Sequence, residues 1–490
     1  MDPVCDHTPK EIDMSDFSRR TFLGLAAASG VAGMIPTVSA AESNQTWDEE
    51  TDVLIAGGGA AGCMAAVEAA KAGSRVLLVH ATPALGGSSA ISSGWIRCSG
   101  TRWHEARKIK DSAEAFKADI LAYGKGCRLE KKADVIARES SAFVNYLMDI
   151  GVTFTDEEDR ANGGEALRIV KTQGGGGALM KHLADAVNKI EGVTIRKSTQ
   201  IAEIVTNAEH NEILGAVLVR RGKTIRVKAK AVVLATGGYG RNQALVERFT
   251  NGWAGTGRIM DLEDKGRGLE LATDLGAGTA NLNIAMVCPT LEVTRNIFYS
   301  SAPLLNGAIF VNEKGRRFTN EYVIYTQTNI DMLKQERCYE IVTPELHPIV
   351  QKMIEQGVAV KCDSYEAIAK HIGCPVDGLK ADIEEHNALT RMAPEDRKDR
   401  FGRIVYKTEL KAPFYILQVK PVMIETVGGI TVNERSEVTT LLGRPVAKGL
   451  YAAGALAFGE HFGTGYRSGE AYVYAGVTGM VAGREAAKLK

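Results

Sequence analysis

The stretch TDVLIAGGGAAGCMAAVEAAKAGSRVLLVH, Thr51 to His80, constrains this chain more than any other. It reads as a strand, a glycine-rich turn, a helix and a second strand within about 30 residues. Gly57, Gly59 and Gly62 fill the pattern G-x-G-x-x-G, with Ala60 and Ala61 between the last two. The first glycine permits a tight turn, the second lets backbone approach a pyrophosphate, and the third lets helix pack on strand. The helix N-terminus would then face the negative charge. This predicts a Rossmann-like α/β fold that binds a dinucleotide. One position departs from the pattern. The second strand commonly ends in an acid that holds the ribose hydroxyls, and here it ends in His80, whose neutral ring could accept one such bond.

A chain of 490 residues is long enough for several domains, or for one large domain with an insertion. Lys plus Arg and Asp plus Glu number 59 each, so the formal charge is zero. That balance argues against a nucleic-acid partner, which selects for a basic excess or a basic stripe. The only long apolar run is the N-terminal TFLGLAAASGVAGMIPTVSA, and it follows SRRTFL, Ser18 to Leu23. The pair Arg19–Arg20 and the terminal VSA predict a twin-arginine export signal over residues 1–41, and therefore a periplasmic or envelope location without a membrane span. The eight cysteines are scattered singly, without the spacing of a disulfide framework, a metal site or a haem attachment motif. Most read as small buried residues.

Further segments favour FAD over NAD. ALGGSSAISSGW (Ala84 to Trp95) follows the second strand, and AVVLATGGYGRN (Ala231 to Asn242) reads as a buried strand entering a glycine turn. GLYAAGALAFGEHFGTGYRSGEAYVYAG (Gly449 to Gly476) reads as strand, loop and helix. Together with NGAIFVNEKGRRFTNE (Asn306 to Glu321), these segments resemble the flavoprotein family of soluble fumarate reductases, urocanate reductases and 3-ketosteroid dehydrogenases.

The resemblance implies an FAD-binding domain over residues 42–282 and 427–490, with an inserted α+β capping domain over 283–426. It implies non-covalent FAD, held by Gly57, Gly59, Ala60, Ala61, Gly62 and His80, and by Gly86, Gly87, Ser88, Ser89, Ser93 and Gly94. Ala202, Thr236, Gly237, Gly238 and Gly454 complete the expected FAD-binding set. Fumarate reductases of the family add haem or FMN domains, which this sequence lacks, so a separate cytochrome or FMN-carrying protein is expected to supply electrons. Ala455 stands where the family commonly has an acid, so this position, like His80, offers FAD no carboxylate.

The same resemblance points to the chemistry. Four residues after the Glu of RFxNE, fumarate reductases carry a proton-donating arginine and 3-ketosteroid dehydrogenases a catalytic tyrosine; counted from Glu321, this chain has Tyr325. A packing role beside Tyr322 is the alternative. The family's substrate-clamping histidines are replaced by Cys288 and Glu425, and the acid and arginine of a proton path by Ser301 and Leu304. At the C-terminal clamp either Tyr466 or Arg467 occupies the arginine position. An ionised Glu425 about 4 Å from an anionic substrate would cost roughly 4 kcal/mol at an effective dielectric of about 20.

A dicarboxylate is thereby disfavoured, and the expected substrate is a neutral enone or an aryl acrylate-like compound. Hydride adds to the β-carbon, Tyr325 protonates the α-carbon, and Tyr466 with the N–H near Gly469 stabilises the carbonyl oxygen. Three other readings stay open: ketosteroid dehydrogenation in the oxidative direction, reduction of an unsaturated monocarboxylate held by Arg467, and a flavin-binding electron shuttle without acid–base chemistry.

Overall fold

The computed structural model describes residues 46–489, except 125–128, 157–165, 251, 323–326, 404–405 and 464. The segment carrying Arg19 and Arg20 and the expected cleavage site lies outside the described residues.

The Rossmann-like unit predicted from Thr51 to His80 is present. Strand β1 (Glu49–Ala56) leads through Gly57–Gly59 into helix α1 (Ala60–Lys71), and strand β2 (Val76–His80) lies parallel to β1. At Gly57 the backbone has φ +115°, and a Cβ there would sit 2.0 Å from the Ala235 carbonyl oxygen. A Cβ on Gly62 would sit 1.8 Å from the Gly57 oxygen. Only glycine fits either place, because helix and loop approach to backbone contact. A short helix, α2 (Gly87–Ile91), follows β2.

Four further strands extend this sheet: β3 (Val193–Lys197), β4 (Thr199–Thr206), β5 (Ile213–Arg220) and β6 (Lys223–Leu234). Their order is β3-β2-β1-β6-β5-β4. The neighbours of β1 and β2 are parallel, whereas β4, β5 and β6 pair antiparallel. The sequence of β6 changes where its surroundings change. KTIRVKAK keeps exposed positions along its antiparallel pairing with β5, and AVVL is buried throughout where it enters the parallel centre beside β1. Parallel strands covered on both faces require such continuous apolar runs.

The second sheet is antiparallel at its centre and is built from β7 (Ala285–Glu292), β8 (Ile309–Asn312), β9 (Cys338–Val342) and β10 (Phe414–Thr426), in the order β7-β10-β9-β8. Ile309, Ile341, Leu417 and Val419 contribute to a core separate from that of the first sheet. Strand β10 links the two. Its early residues lie in the second core, and Met423 near its end lies in the first. The chain closes with β11 (Leu450–Ala452), parallel to β6 in the first sheet. Two helices complete the frame of the site, α3 (Arg267–Asp274) and α4 (Glu470–Ala486), and α4 packs along α1.

Cys63, Cys98, Cys288, Cys338 and Cys362 are buried free thiols. Among the described residues no helix is long and apolar enough to cross a membrane.

Candidate active site

A cavity of about 530 Å³ runs from the end of β2 and the start of β4 to the near end of the second sheet. Its floor is the glycine turn, with Gly57, Gly59, Ala60 and Ala61 lining it at the N-terminus of α1. Its N-cap, Gly59, brings no capping side chain and no acid occupies the first turn; the Ala60 N–H donates to Ser89 Oγ at 3.2 Å. Gly87, Ser88, Ser89, Ser93 and Gly94 line the wall contributed by α2 and the residues after it, and Thr236, Gly237 and Gly454 line the opposite side.

The other expected cofactor residues stand behind this surface. Gly62 is a packing glycine against Gly57. The Gly86 N–H donates to the Gly58 oxygen at 2.9 Å and holds the turn after β2. The Ala202 carbonyl accepts from the Arg267 guanidinium, and Gly238 abuts Thr426 and Glu425.

His80 lines the cavity, yet it has no acceptor left for a ribose. Its Nδ1 accepts the Gly58 N–H at 3.1 Å, and its Nε2 lies 2.9 Å from Thr82 Oγ1, which donates to the Ala84 carbonyl. With that hydroxyl proton already used, Nε2 must carry the ring hydrogen. Burial holds the ring pKa below its usual value, so the imidazole stays neutral and supports the glycine loop. The expected ribose bond is therefore corrected. Asp261 and Glu263, close enough to His80 to act on its charge, line the same end with carboxyl groups that sequence reading did not single out. They sit in the polar run MDLEDKGRG, which reads as an ordinary surface loop.

Toward the second sheet the lining turns apolar, with Met286, Cys288, Phe298, Ile424 and Phe458. Burial pushes the Cys288 thiol up to about 12 and keeps it neutral. Glu425 at the end of β10, 9% exposed, and Asp264 before α3, 4% exposed, also line the cavity. Burial, then the charge of Asp264, drives the Glu425 pKa well above the carboxylate range. Tyr466 and Gly469 face the same space from the C-terminal loop and the start of α4.

Arg467 does not. It is 0% exposed; its Nε and Nη2 donate to Glu470 Oε1 at 2.8 and 2.6 Å, its Nη1 donates to Asp119 Oδ2 at 2.7 Å, and it stacks 4.2 Å from the Tyr123 ring. The choice between Tyr466 and Arg467 as the residue facing substrate thus falls to Tyr466, and the expected carboxylate clamp at Arg467 is corrected. Tyr325 lies outside the described residues. Glu321, from which it was counted, is anchored by Arg317 at 2.9 and 2.8 Å and by Arg403 at 3.2 Å.

Residues 52–471 match the FAD_binding_2 family, described as an FAD binding domain. The chain belongs to this family. It is 28% identical over 449 residues to a probable fumarate reductase of Shewanella frigidimarina, covering 90% of this chain and 75% of that one. It is 27% identical over 477 residues to the acrylate reductase flavoprotein subunit of Shewanella woodyi, covering 90% and 93%. Among solved structures, a flavocytochrome c3 fumarate reductase in an open conformation superposes with TM-score 0.78 at 27% identity, covering 98% of this chain and 82% of that one. A 3-ketosteroid-Δ4-(5α)-dehydrogenase from Rhodococcus jostii, bound to 4-androstene-3,17-dione, superposes with TM-score 0.70 at 26% identity, covering 90% and 98%.

This FAD_binding_2 chain is an FAD-dependent oxidoreductase, and the cavity suits FAD on its own evidence. The N-terminus of α1 presents backbone donors at a glycine floor, as a pyrophosphate requires. Thr236 Oγ1 and the Tyr472 hydroxyl are buried at cavity-lining residues without a hydrogen-bond partner among the described residues. A bound group with polar atoms along its length would meet such needs. Tyr472, one face of α4, is a further residue that sequence reading missed; the helical run EAYVYAG gives no sign of which tyrosine faces the cavity.

Proposed function

We propose that this protein reduces a carbon–carbon double bond conjugated to a neutral carbonyl group, in a steroid-like enone or a related phenylpropanoid-like compound. One observation carries the reading. The cavity-lining cations among the described residues are Lys265 and Arg267, each beside a carboxylate, Glu263 at 3.0 Å and Glu270 at 3.3 Å. Arg467, the residue that could clamp a carboxylate substrate, is committed to Glu470 and Asp119. Among the described residues, a fumarate or acrylate anion would meet buried carboxyl groups and no uncommitted cation.

FAD, non-covalently bound, would supply the hydride. The protein contributes donors where charge develops on the carbonyl oxygen: Tyr466, and the N-terminus of α4 at Gly469, whose backbone carries partial positive charge. The carbonyl of Gly469 accepts the Arg97 N–H at 3.1 Å, which fixes that helix start. Tyr325 is assigned as proton donor to the α-carbon, since a phenol with an ordinary pKa near 10 is protonated at neutral pH. The reading places FAD in residues 42–282 and 427–490 and the cap in 283–426. It includes export through Arg19–Arg20 and a separate cytochrome or FMN-carrying electron donor. The ketosteroid relative favours a second direction, oxidation of a saturated ketone, which would require Tyr325 as phenolate.

The test is anaerobic. The dithionite-reduced protein is mixed with enones, ketosteroids, aryl acrylates and fumarate, and reoxidation of the flavin is followed by absorbance. Neutral enones should reoxidise it, and Tyr325→Phe should slow that step about 10²–10⁴-fold with FAD retained. Faster reoxidation by fumarate or acrylate than by every neutral enone would reject the proposal.

A further inference from the structure

Two carboxyl groups occupy the cavity wall beside the glycine turn after β6, and their surroundings are unequal. A Cβ on Gly237 would lie 2.0 Å from Asp264 Oδ1, and a Cβ on Gly238 would lie 2.9 Å from Glu425 Oε1. Adjacent backbone positions therefore each abut one of the acids. Asp264 receives a hydrogen bond from the Ser88 hydroxyl, which itself accepts the Asp261 N–H at 2.9 Å. It also receives the Gly238 N–H and feels the Arg241 guanidinium. Glu425 receives one donor, the Thr426 N–H, at 3.0 Å to Oε1. Its Oε2 has no hydrogen-bond partner among the described residues, and no cation among them acts on it.

The other titratable groups around the pair are few. Tyr239, whose hydroxyl donates to the Leu282 carbonyl, and Cys288 on β7 are both held neutral by burial. Asp261 adds negative charge beside Asp264, while Arg241 opposes it.

Two buried carboxylates this close cannot both ionise without a large cost, so one retains its proton. The donors decide which. Ser88, Gly238 and Arg241 favour ionised Asp264, whereas the nearly unsolvated Glu425 has one N–H and a negative neighbour. We infer that Asp264 is a positioning residue that holds Glu425 as a neutral carboxylic acid, so that the apolar end of the cavity offers an O–H donor to a neutral carbonyl and repels carboxylates. Both pKa shifts run upward: that of Glu425 by burial and then by the charge of Asp264, that of Asp264 by burial and then, against its Ser88 hydrogen bond, by the charge of Asp261. The assignment of the carbonyl as the acceptor rests on the proposed function; the protonation state does not.

Infrared difference spectroscopy of the FAD-loaded protein tests it. At neutral pH the difference between wild type and Glu425→Gln should show the carbonyl band of one protonated carboxyl group, the difference removing the band of Glu340, which burial raises to about 8. Asp264→Asn should keep the band but move its titration down by about one pH unit or more, because a like charge has been removed. Adding an enone that reoxidises the reduced protein should shift the wild-type band, as a new hydrogen bond forms. No such difference band at neutral pH, or a titration of that band unchanged by Asp264→Asn, would each overturn the assignment whatever the substrate. Where Glu425→Gln misfolds, Glu340→Gln serves in its place, because it removes the other band and leaves that of Glu425 to be read directly. A band that titrates as expected but is unmoved by every active enone would overturn the donor role alone, and failure of all enones to reoxidise the flavin would instead reject the proposed function.

Discussion

The two walls of the cavity bury charge in opposite ways. Behind Tyr466 and Gly469, Arg97, Arg168 and Arg467 are interleaved with Asp111, Asp119 and Glu470. Asp119 Oδ2 accepts from both Arg168, at 2.8 Å, and Arg467, at 2.7 Å. Across the cavity, Asp264 and Glu425 share a wall without a guanidinium bonded to either carboxyl among the described residues. The first arrangement neutralises itself and leaves no charge to offer a ligand. The second is unneutralised and can settle only by keeping a proton. Paired charges here build the frame that holds the C-terminal loop, and the unpaired ones supply a donor at the reacting end. This is why an arginine at a plausible substrate position is structural while a glutamate in a former histidine position is assigned to function.

The contrast can be broken most forcefully at Arg467. Arg467→Ala should cost about 3–5 kcal/mol in denaturant unfolding, because Glu470 is left buried without its partner. A loss under about 1 kcal/mol would show that the network is not the frame of this wall. Lys at the same position should recover part of the loss, since it keeps charge but not the fork geometry.

The opposite wall should respond to pH. Both acids have folded-state pKa values raised above the unfolded ones, so the folded protein binds more protons as pH climbs above about 4. Their contribution to stability is complete below that pH and is lost as pH rises through the folded values. Glu425→Gln removes the acid that burial and the charge of Asp264 drive well above the carboxylate range. The variant should gain stability relative to wild type on going from about pH 5 to about pH 8, by roughly 1 kcal/mol or more. Unfolding curves at the two pH values check this; an unchanged difference would place the acids in solvent-like surroundings.

The smallest effect is expected at Thr236. Thr236→Val removes a buried hydroxyl without a partner among the described residues, so the FAD-free protein should change by no more than about 0.5 kcal/mol. FAD affinity should fall by up to about tenfold, the worth of one hydrogen bond. Equal affinity in fluorescence titrations would mean the hydroxyl does not face the cofactor.

The nucleotide end of this site was legible in the sequence because its chemistry is local. Gly57, Gly59 and Gly62 act through backbone geometry within one strand–turn–helix unit, so their spacing is their function. His80 was legible only as a departure. Whether its ring faced a ribose depended on Thr82 and Gly58, and those two hydrogen bonds use both nitrogens. Arg467 stayed undecided for a similar reason, since its partner Asp119 lies 348 residues away in sequence. Tyr466 and Arg467 are adjacent, and nothing in the order of residues says which one turns inward.

The sequence by itself determined the α/β dinucleotide fold and the candidate substrate pocket, through glycine spacing, continuous apolar strands and the replacements at Cys288 and Glu425. Tertiary structure decided the protonation and commitment of the charged groups. Asp264 and Glu425 approach one another through a loop, a strand end and a glycine turn distant in sequence, and Arg467, in the loop before α4, meets Asp119 on the helix Ala113–Gly124. A charge is a property of one residue, but whether it survives burial depends on every donor, carboxylate and cation the fold brings within a few ångströms.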